Sequence, residues 1–225
     1  MEAIGVIWLY QSAMRKPLLS IIIIIAFHGH PFAQPILSKV QDVFFKPDFC
    51  GATLYSEGHI YRGLKVKMNL LTGEVRFIKE NSDEIEMTIS FRIKKIEFFN
   101  CWNNKVPVVF QSGFPVITSR DDRDILYQVL DSGKVMLLKN IKVSENSGVR
   151  AVQYGTPQVE LQQSETFYVY SPAKGMLKPE RSREAILKVL DDKREEVDSY
   201  ITANNIRFRN EEELVKVIVF YNSLP

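Results

Sequence analysis

The feature that most constrains the fold of this chain is a two-residue alternation of apolar and polar side chains. It is clearest between residues 84 and 94, where the apolar positions are Ile85, Met87, Ile89, Phe91 and Ile93. Because successive side chains of a β-strand point to opposite faces, this period predicts a strand with one buried face. At Lys94-Lys95 the alternation slips, since Ile96 and Phe98 are the next apolar positions. We therefore expect a bulge or tight bend there.

Further runs of strand length follow at short spacing along the chain. They cover residues 62–70, 74–77, 106–110, 125–130, 135–143, 149–153, 158–161 and 166–170. Turn-forming residues such as Asn146-Ser147-Gly148 separate them. Many short strands at this spacing predict antiparallel pairing, in a sandwich, an open barrel or a curved sheet. The pattern alone does not choose among these three architectures.

Helical spacing replaces strand spacing near Pro179. The apolar stripes are Ile186, Leu187 and Leu190, then Val197, Tyr200 and Ile201, then Leu214, Val217, Ile218 and Tyr221. Asp192 and Glu195 have capping-box spacing, and a third helix is expected to begin at Asn210. Helices this short are marginal alone, so we expect them to pack on the sheet. The predicted fold class is a β-rich α+β protein with a small C-terminal helical segment.

The N-terminal residues have the layout of a secretory signal peptide. Met14-Arg15-Lys16 precedes an apolar stretch from Leu18 to Phe27, and a polar segment with the small residue Ala33 follows. The apolar stretch is too short to cross a membrane core, which needs roughly 20 residues. We expect cleavage after Gln34 and regard Met14, rather than Met1, as the natural start. The mature protein is then periplasmic or secreted, without a permanent membrane span.

These patterns divide the chain into four segments. They are an N-terminal extension and signal peptide (1–34), a lead-in arm (35–49), an antiparallel β domain (50–178) and a helical appendage packed on that domain (179–225). The formal net charge is only +2, from 29 basic and 27 acidic side chains. So small an excess gives no global field to hold a polyanion, and nucleic acid is not an expected partner.

Three short motifs carry a family resemblance. They are Gly51-Ala52-Thr53-Leu54-Tyr55, the segment Gly58-x-x-Tyr61-x-Gly63-Leu64, and the closing pattern from Asp192-Lys193-Arg194 to Tyr221-Asn222. In these the chain resembles an uncharacterised group of exported proteins typical of Bacteroidetes-type bacteria. The resemblance spans most of the mature chain and implies an envelope location. It brings no activity, cofactor or catalytic residue.

Cys50 and Cys101 are the two cysteines of the sequence. In an oxidising compartment they could form a bridge that closes about 52 residues and stabilises by on the order of 4 kcal/mol. The alternative is two independent thiols. A catalytic thiol would need an adjacent base, and His59 is the one imidazole that survives cleavage. His59 follows Glu57-Gly58, and we expect it in an exposed hairpin turn.

No catalytic, metal or cofactor motif stands out along the chain. The acidic segment Ser119–Asp124 could offer oxygen ligands to calcium. However, Arg120 and Arg123 are interleaved with its acids and no calcium-loop glycine follows, so a solvated turn is the better interpretation. We expect neither a metal nor a cofactor, and no enzymatic activity.

Two sets of side chains are candidate binding surfaces. Lys65, Lys67 and Arg92, with Arg76 and Lys94, could form a basic stripe for anionic lipid headgroups or acidic glycans, or could be ordinary solvated lysines and arginines. The aromatic set is Tyr154, Tyr168 and Tyr170. Because Tyr168 and Tyr170 point opposite to Phe167 and Val169, either the helices cover them or they bind a ligand. We favour the helices.

The sequence thus predicts an exported, non-enzymatic binding or assembly module of the envelope. Its partner would be an envelope protein, a glycan or a lipid. One alternative is a hydrolase that uses two carboxylates on glycan, lipid or peptide, and it requires a pocket with converging acids. Another is a carrier of lipid or small apolar ligands, which requires an open apolar cavity.

Overall fold

A single antiparallel sheet organises the computed structural model, which describes residues 36–37, 43–79, 86–99, 101, 106–117, 124–146 and 160–225. All of these residues belong to one unit, Gln34–Pro225. The strands are β1 (Ile36–Leu37), β2 (Cys50–Ser56), β3 (Ile60–Met68), β4 (Val75–Lys79), β5 (Met87–Thr88), β6 (Ile93–Phe99), β7 (Val108–Gln111), β8 (Tyr127–Ser132), β9 (Met136–Asn146), β10 (Glu160–Ser171) and β11 (Gly175–Leu177).

The order of the strands is β1-β10-β9-β8-β7-β6-β2-β3-β4-β5, and β11 also pairs with β10. Every pairing is antiparallel, and the two ends of this path do not meet. The sequence allowed a sandwich, an open barrel or a curved sheet; the protein has a single sheet that does not close on itself. The β-rich class with a C-terminal helical segment is confirmed.

The expected irregularity at Lys94-Lys95 is confirmed as a bulge. Lys95 lies opposite Tyr55 and Ile93 lies opposite Ser56, so Lys94 is an extra residue in β6. The bulge corrects the phase of the apolar side chains, because Ile96 and Phe98 then reach the buried face, where they are 0% and 2% exposed.

The expectation of one strand over residues 84–94 is wrong for its described part. β5 covers only Met87–Thr88 and pairs with β4, whereas β6 pairs with β2. In the sheet, the strands β2, β3 and β4 lie between β6 and β5. The chain must leave the sheet edge between β5 and β6, and this leaves Met87 and Phe91 40% and 38% exposed. Conversely, the described part of the run at 158–161 and the run at 166–170 belong to one strand, β10. The run at 149–153 lies outside the described residues.

Two apolar cores lie on the same face of the sheet, as the register from Phe110 through Gln128 and Lys139 to Phe167 indicates. We call the first the helix-covered core; its fully buried members include Leu137, Val169, Leu190, Ile201, Leu214 and Ile218. We call the second the bridged core; it contains Cys50, Ala52, Leu54, Val66, Ile96, Phe98 and Phe110. Phe45, from the segment before β2, packs edge-on against Phe110 with ring centroids 4.7 Å apart.

Three helices follow the sheet in the chain: α1 (Arg183–Val189), α2 (Arg194–Ala203) and α3 (Glu211–Ser223). The expected start of the third helix is confirmed, since the Asn210 side chain accepts the Glu213 N–H at 2.9 Å. The capping box at Asp192 is wrong. A 3₁₀ turn at Asp191–Lys193 moves the start of α2 to Arg194, and the Asp192 carboxylate instead accepts the Tyr221 hydroxyl at 2.9 and 3.0 Å.

The end of α3 is fastened to the β8–β9 hairpin by one side chain. Asn222 accepts the Val135 N–H at 3.0 Å and donates to Asp131 Oδ2 at 2.7 Å and to the Val135 carbonyl at 3.0 Å. Gly133 makes room for this contact, because a Cβ there would lie 2.6 Å from Asn222 Cγ.

Among the described residues, no helix combines the length and apolar character that crossing a membrane requires.

Candidate functional site

An open groove of about 600 Å³ lies where the ends of β2, β6 and β7 meet beside the β2–β3 hairpin. We call it the basic groove. The described residues that line it are Tyr55, Glu57, Arg92, Lys94, Lys95, Gln111, Ser112 and Gly113. They include three cations and a single carboxylate, Glu57; Arg92 and Lys95 pair with Asp124 and Glu97, which are not among these lining residues.

Local backbone geometry brings these side chains together. The β2–β3 hairpin turns tightly at Gly58, which has φ +77, and the Ser56 N–H donates to the His59 carbonyl at 3.0 Å. In a regular strand Lys94 and Lys95 would point to opposite faces. The extra residue of the bulge re-aims one of them, and both therefore line the same groove.

Two of the lining residues, Tyr55 and Lys95, form a connected polar cluster with Glu97. The Tyr55 hydroxyl donates to Glu97 Oε2 at 2.7 Å, and Lys95 Nζ donates to Glu97 Oε1 at 2.8 Å. Lys95 Nζ also lies 4.0 Å from the centroid of the Tyr55 ring, a cation–π distance. The groups fix one another, so the tyrosine ring and the ammonium are preorganised for a ligand.

The pKa shifts of this cluster follow from its hydrogen bonds. The bond to Glu97, with partial burial, raises the pKa of the Tyr55 hydroxyl. For Glu97, burial disfavours the carboxylate, but the hydrogen bonds from Lys95 and Tyr55 outweigh burial and lower its pKa. At neutral pH the cluster therefore holds a neutral phenol and an ionised carboxylate.

The two outer cations form exposed ion pairs. Arg92 contacts Asp124, and Lys94 Nζ lies 3.4 Å from Glu57 Oε1, with side chains 55% and 70% exposed. Exposed pairs of this kind contribute at most about 1 kcal/mol. An anionic ligand can therefore exchange with these carboxylates at small cost.

The structure does not bring Lys65 and Lys67 to Arg92. Lys65 pairs with Gly51, which lies four residues before Tyr55 on β2, or about 13 Å along the strand. Lys67 Nζ lies 4.0 Å over the ring of Phe44. Lys65 and Lys67 thus lie near the start of β2, whereas Arg92 lies near its end, so the expected basic stripe does not form. Of these three residues, Arg92 is the one that lines the groove.

The helices do not cover Tyr168 and Tyr170, contrary to our preference from the sequence. They contact Phe167 and Val169, and alternate residues of a strand point to opposite faces. The other face holds an aromatic cluster in which Tyr168 and Tyr170 pack edge-on against Tyr127 and Phe114, with centroids 5.4 and 5.2 Å apart. Both tyrosines are half-buried there. Tyr154 lies outside the described residues.

The two cysteine sulfurs lie at bonding distance. The Sγ atoms of Cys50 and Cys101 are 2.18 Å apart and the Cα atoms 5.2 Å apart. Paired in this way, neither sulfur is a thiol nucleophile. His59 is exposed in its hairpin turn, with Nδ1 3.2 Å from the Glu57 carbonyl oxygen.

Metal-ligating side chains are not grouped in the described part of the chain. No set of three or more histidine, cysteine, aspartate or glutamate residues there is placed to hold a metal ion. Of the acidic segment Ser119–Asp124, only Asp124 is described, and it contacts Arg92.

Comparison with protein-family models, with curated proteins and with solved structures gives no match to this chain. The resemblance to exported Bacteroidetes-type proteins therefore stays a prediction from the motifs.

The sequence drew attention to Arg92 and Lys94 but missed Lys95 and Tyr55. The phase slip at Lys94-Lys95 was the available signal for Lys95, since a bulge places neighbouring side chains on one face. Tyr55 gave no signal, because its place depends on the pairing of β2 with β6.

Proposed function

We propose that this chain is an exported, non-enzymatic binding module of the envelope that holds an acidic glycan in the basic groove. The observation that carries the proposal is the set of three lining cations, Arg92, Lys94 and Lys95, of which Arg92 and Lys94 are held by exposed ion pairs. Carboxylates of an acidic sugar would replace Glu57 and Asp124 as partners of Lys94 and Arg92. The amide of Gln111, which also lines the groove, can both donate to and accept from the hydroxyl groups of a sugar.

Export is supported by two independent features. The signal-peptide pattern of residues 14–34 directs the chain out of the cytoplasm. The bonded distance between Cys50 and Cys101 is compatible with an oxidising compartment, where such pairs persist.

The hydrolase alternative has less support. Glycoside hydrolysis requires two carboxylates that converge on the scissile bond. Glu57 is the one carboxylate among the described lining residues, and it is paired with Lys94. Glu97 is not among these lining residues, and both of its oxygens are bonded, to Tyr55 and Lys95.

The test is a binding titration of the exported protein by calorimetry. The ligands are oligogalacturonate and a neutral glucan oligomer of the same length, each at low and at 0.3 M salt. We expect binding of the acidic oligomer alone, weakened by salt, since surface charges are screened beyond about 10 Å at 0.1 M. Equal binding of both oligomers, or binding of neither, would contradict the proposal.

Matched variants locate the site. Arg92→Ala combined with Lys94→Ala should weaken binding of the acidic oligomer about tenfold or more, since two charged contacts are lost. Lys65→Ala removes an exposed lysine that lies beside the start of β2, away from the groove, and should change the affinity less than about twofold. If Lys65→Ala has the larger effect, the groove is not the binding site.

A further inference from the structure

A second concave site lies between the two cores, on the face of the sheet against which the helices pack. It is an open cleft of about 340 Å³, which we call the seam cleft. Its described lining is Phe44, Phe45, Leu70, Val108, Gln128, Lys139, Ile141, Gln163 and Glu165. The volume falls within the range of small-molecule sites, roughly 300–1,000 Å³.

One wall of the seam cleft is apolar and firmly held. Phe45 packs edge-on against Phe110, at 4.7 Å between centroids, and at 5.8 Å from Phe98, so it is anchored in the bridged core. Val108 and Ile141 continue this wall across the sheet. A hydrocarbon chain laid against it would lose contact with water without requiring the core to repack.

The opposite wall is polar; Lys139 and Glu165 line it, and Glu211, which is not a lining residue, also pairs with Lys139. Lys139 is 8% exposed, and its Nζ lies 2.7 Å from Glu211 of α3 and 3.8 Å from Glu165 of β10. Two carboxylates thus share one ammonium, which leaves a net negative charge. Glu165 is the looser partner and the one that lines the cleft.

The cleft also contains a buried acceptor that is not satisfied. Gln128 Oε1 is inaccessible to solvent and has no hydrogen-bond partner among the residues the structure describes. Buried side-chain oxygens are normally bonded, because leaving one unpaired is unfavourable. Because this oxygen is inaccessible to solvent, a rotation of the Gln128 side chain is needed to bring it to a ligand head with N–H donors.

We infer that the seam cleft binds a small amphiphile with an ammonium head and an apolar chain. The head lies at Glu165, beside Gln128, and the chain lies along Phe45, Val108 and Ile141. An anionic head would meet the surplus carboxylate, and a neutral head would leave its charge uncompensated. This site differs in place and in ligand charge from the basic groove and does not depend on it.

The experiment compares three probes that share one chain length: octylamine, octanol and octanoate. Each is titrated into the full protein at pH 7 and followed by backbone amide shifts in NMR spectra. We expect octylamine to bind most tightly, octanol more weakly and octanoate not at all. Octanoate binding as tightly as octylamine, or no binding of octylamine, would overturn the inference.

Glu165→Gln tests the role of the head group. It should weaken octylamine about tenfold, the loss expected for one charge-assisted contact, and leave octanol unchanged. Glu145→Gln, which removes an exposed carboxylate from β9, should leave both affinities unchanged. Equal octylamine binding by the Glu165 variant and the parent protein would also overturn the inference.

Discussion

The two cores lie on one face of one sheet, yet different elements shield them from solvent. Over β8, β9 and β10, three helices cover the sheet and bury Leu190, Leu214 and Ile218 almost completely. Over β2, β3 and β6, the described residues provide no helix. There Phe45 from the preceding segment packs on the core, and Cys50 is joined to Cys101 at its margin.

A sheet face can therefore be stabilised either by added apolar surface or by a covalent restraint. Helices contribute by removing area from water, about 25 cal/mol per Å². A disulfide contributes mainly by restricting the unfolded chain. The helix-covered core should therefore respond to side-chain truncation, and the bridged core to reduction.

The largest expected effect is loss of the bridge. Cys101→Ser should lower the free energy of unfolding by on the order of 4 kcal/mol, because a loop of about 50 residues is no longer closed in the unfolded chain. Urea denaturation with and without reductant measures it. The parent protein should lose a similar amount in reductant, and Cys101→Ser should lose nothing further. Sensitivity of the variant to reductant would break the assignment.

Truncation in the helix-covered core should have the next largest effect. Ile218→Ala removes three carbons from a site that is 0% exposed and should cost about 3 kcal/mol. Val219→Ala, at the neighbouring position that is 46% exposed, should change stability by less than about 0.5 kcal/mol. Both are measured by urea denaturation. The loss of stability caused by Ile218→Ala should be the same in reduced protein, since Ile218 belongs to the helix-covered core and the disulfide to the bridged core.

The smallest effect is a dependence of stability on alkaline pH that arises from Tyr221 in the helix-covered core. Burial and the bond to Asp192 raise the pKa of Tyr221 to about 12, above the ordinary value of 10. The unfolded chain therefore loses this proton first, and stability falls as pH rises from 10 towards 12. At pH 11 the loss from this group is about 1.4 kcal/mol.

Tyr221→Phe provides the comparison for this pH dependence. Denaturation midpoints of the variant and the parent protein between pH 9 and pH 11 should converge as pH rises, because the variant lacks the titrating hydroxyl. Parallel midpoints across that range would show that Tyr221 does not titrate differently in the folded state.

Local signals predicted the local features of this fold. The phase slip at Lys94-Lys95 gave the bulge, and Asn210 gave the start of α3, because each depends on a few adjacent residues. Features that depend on distant pairing did not follow from the sequence. The break between β5 and β6 arises because they join strands far apart in the sheet, and no local pattern records that.

The candidate sites show the same limit. Arg92 and Lys94 were visible as outward cations, but their meeting with Tyr55 and Gln111 needs the register of β2, β6 and β7. The use of Asp192 as a partner of Tyr221, rather than as a helix cap, likewise depends on how α3 packs. Periodicity gives the face of a residue, and the strand order decides its neighbours.

The position of α3 in the chain has a consequence for biosynthesis. Phe167 and Val169 of β10 are synthesised well before Glu211–Ser223, the segment that supplies Leu214, Val217, Ile218 and Tyr221 to cover them. At translation rates of roughly 5–20 residues per second, the apolar residues of β10 precede this cover by several seconds. During this interval a holding chaperone has an apolar segment to bind, and a chain truncated before residue 211 would expose that segment to aggregation.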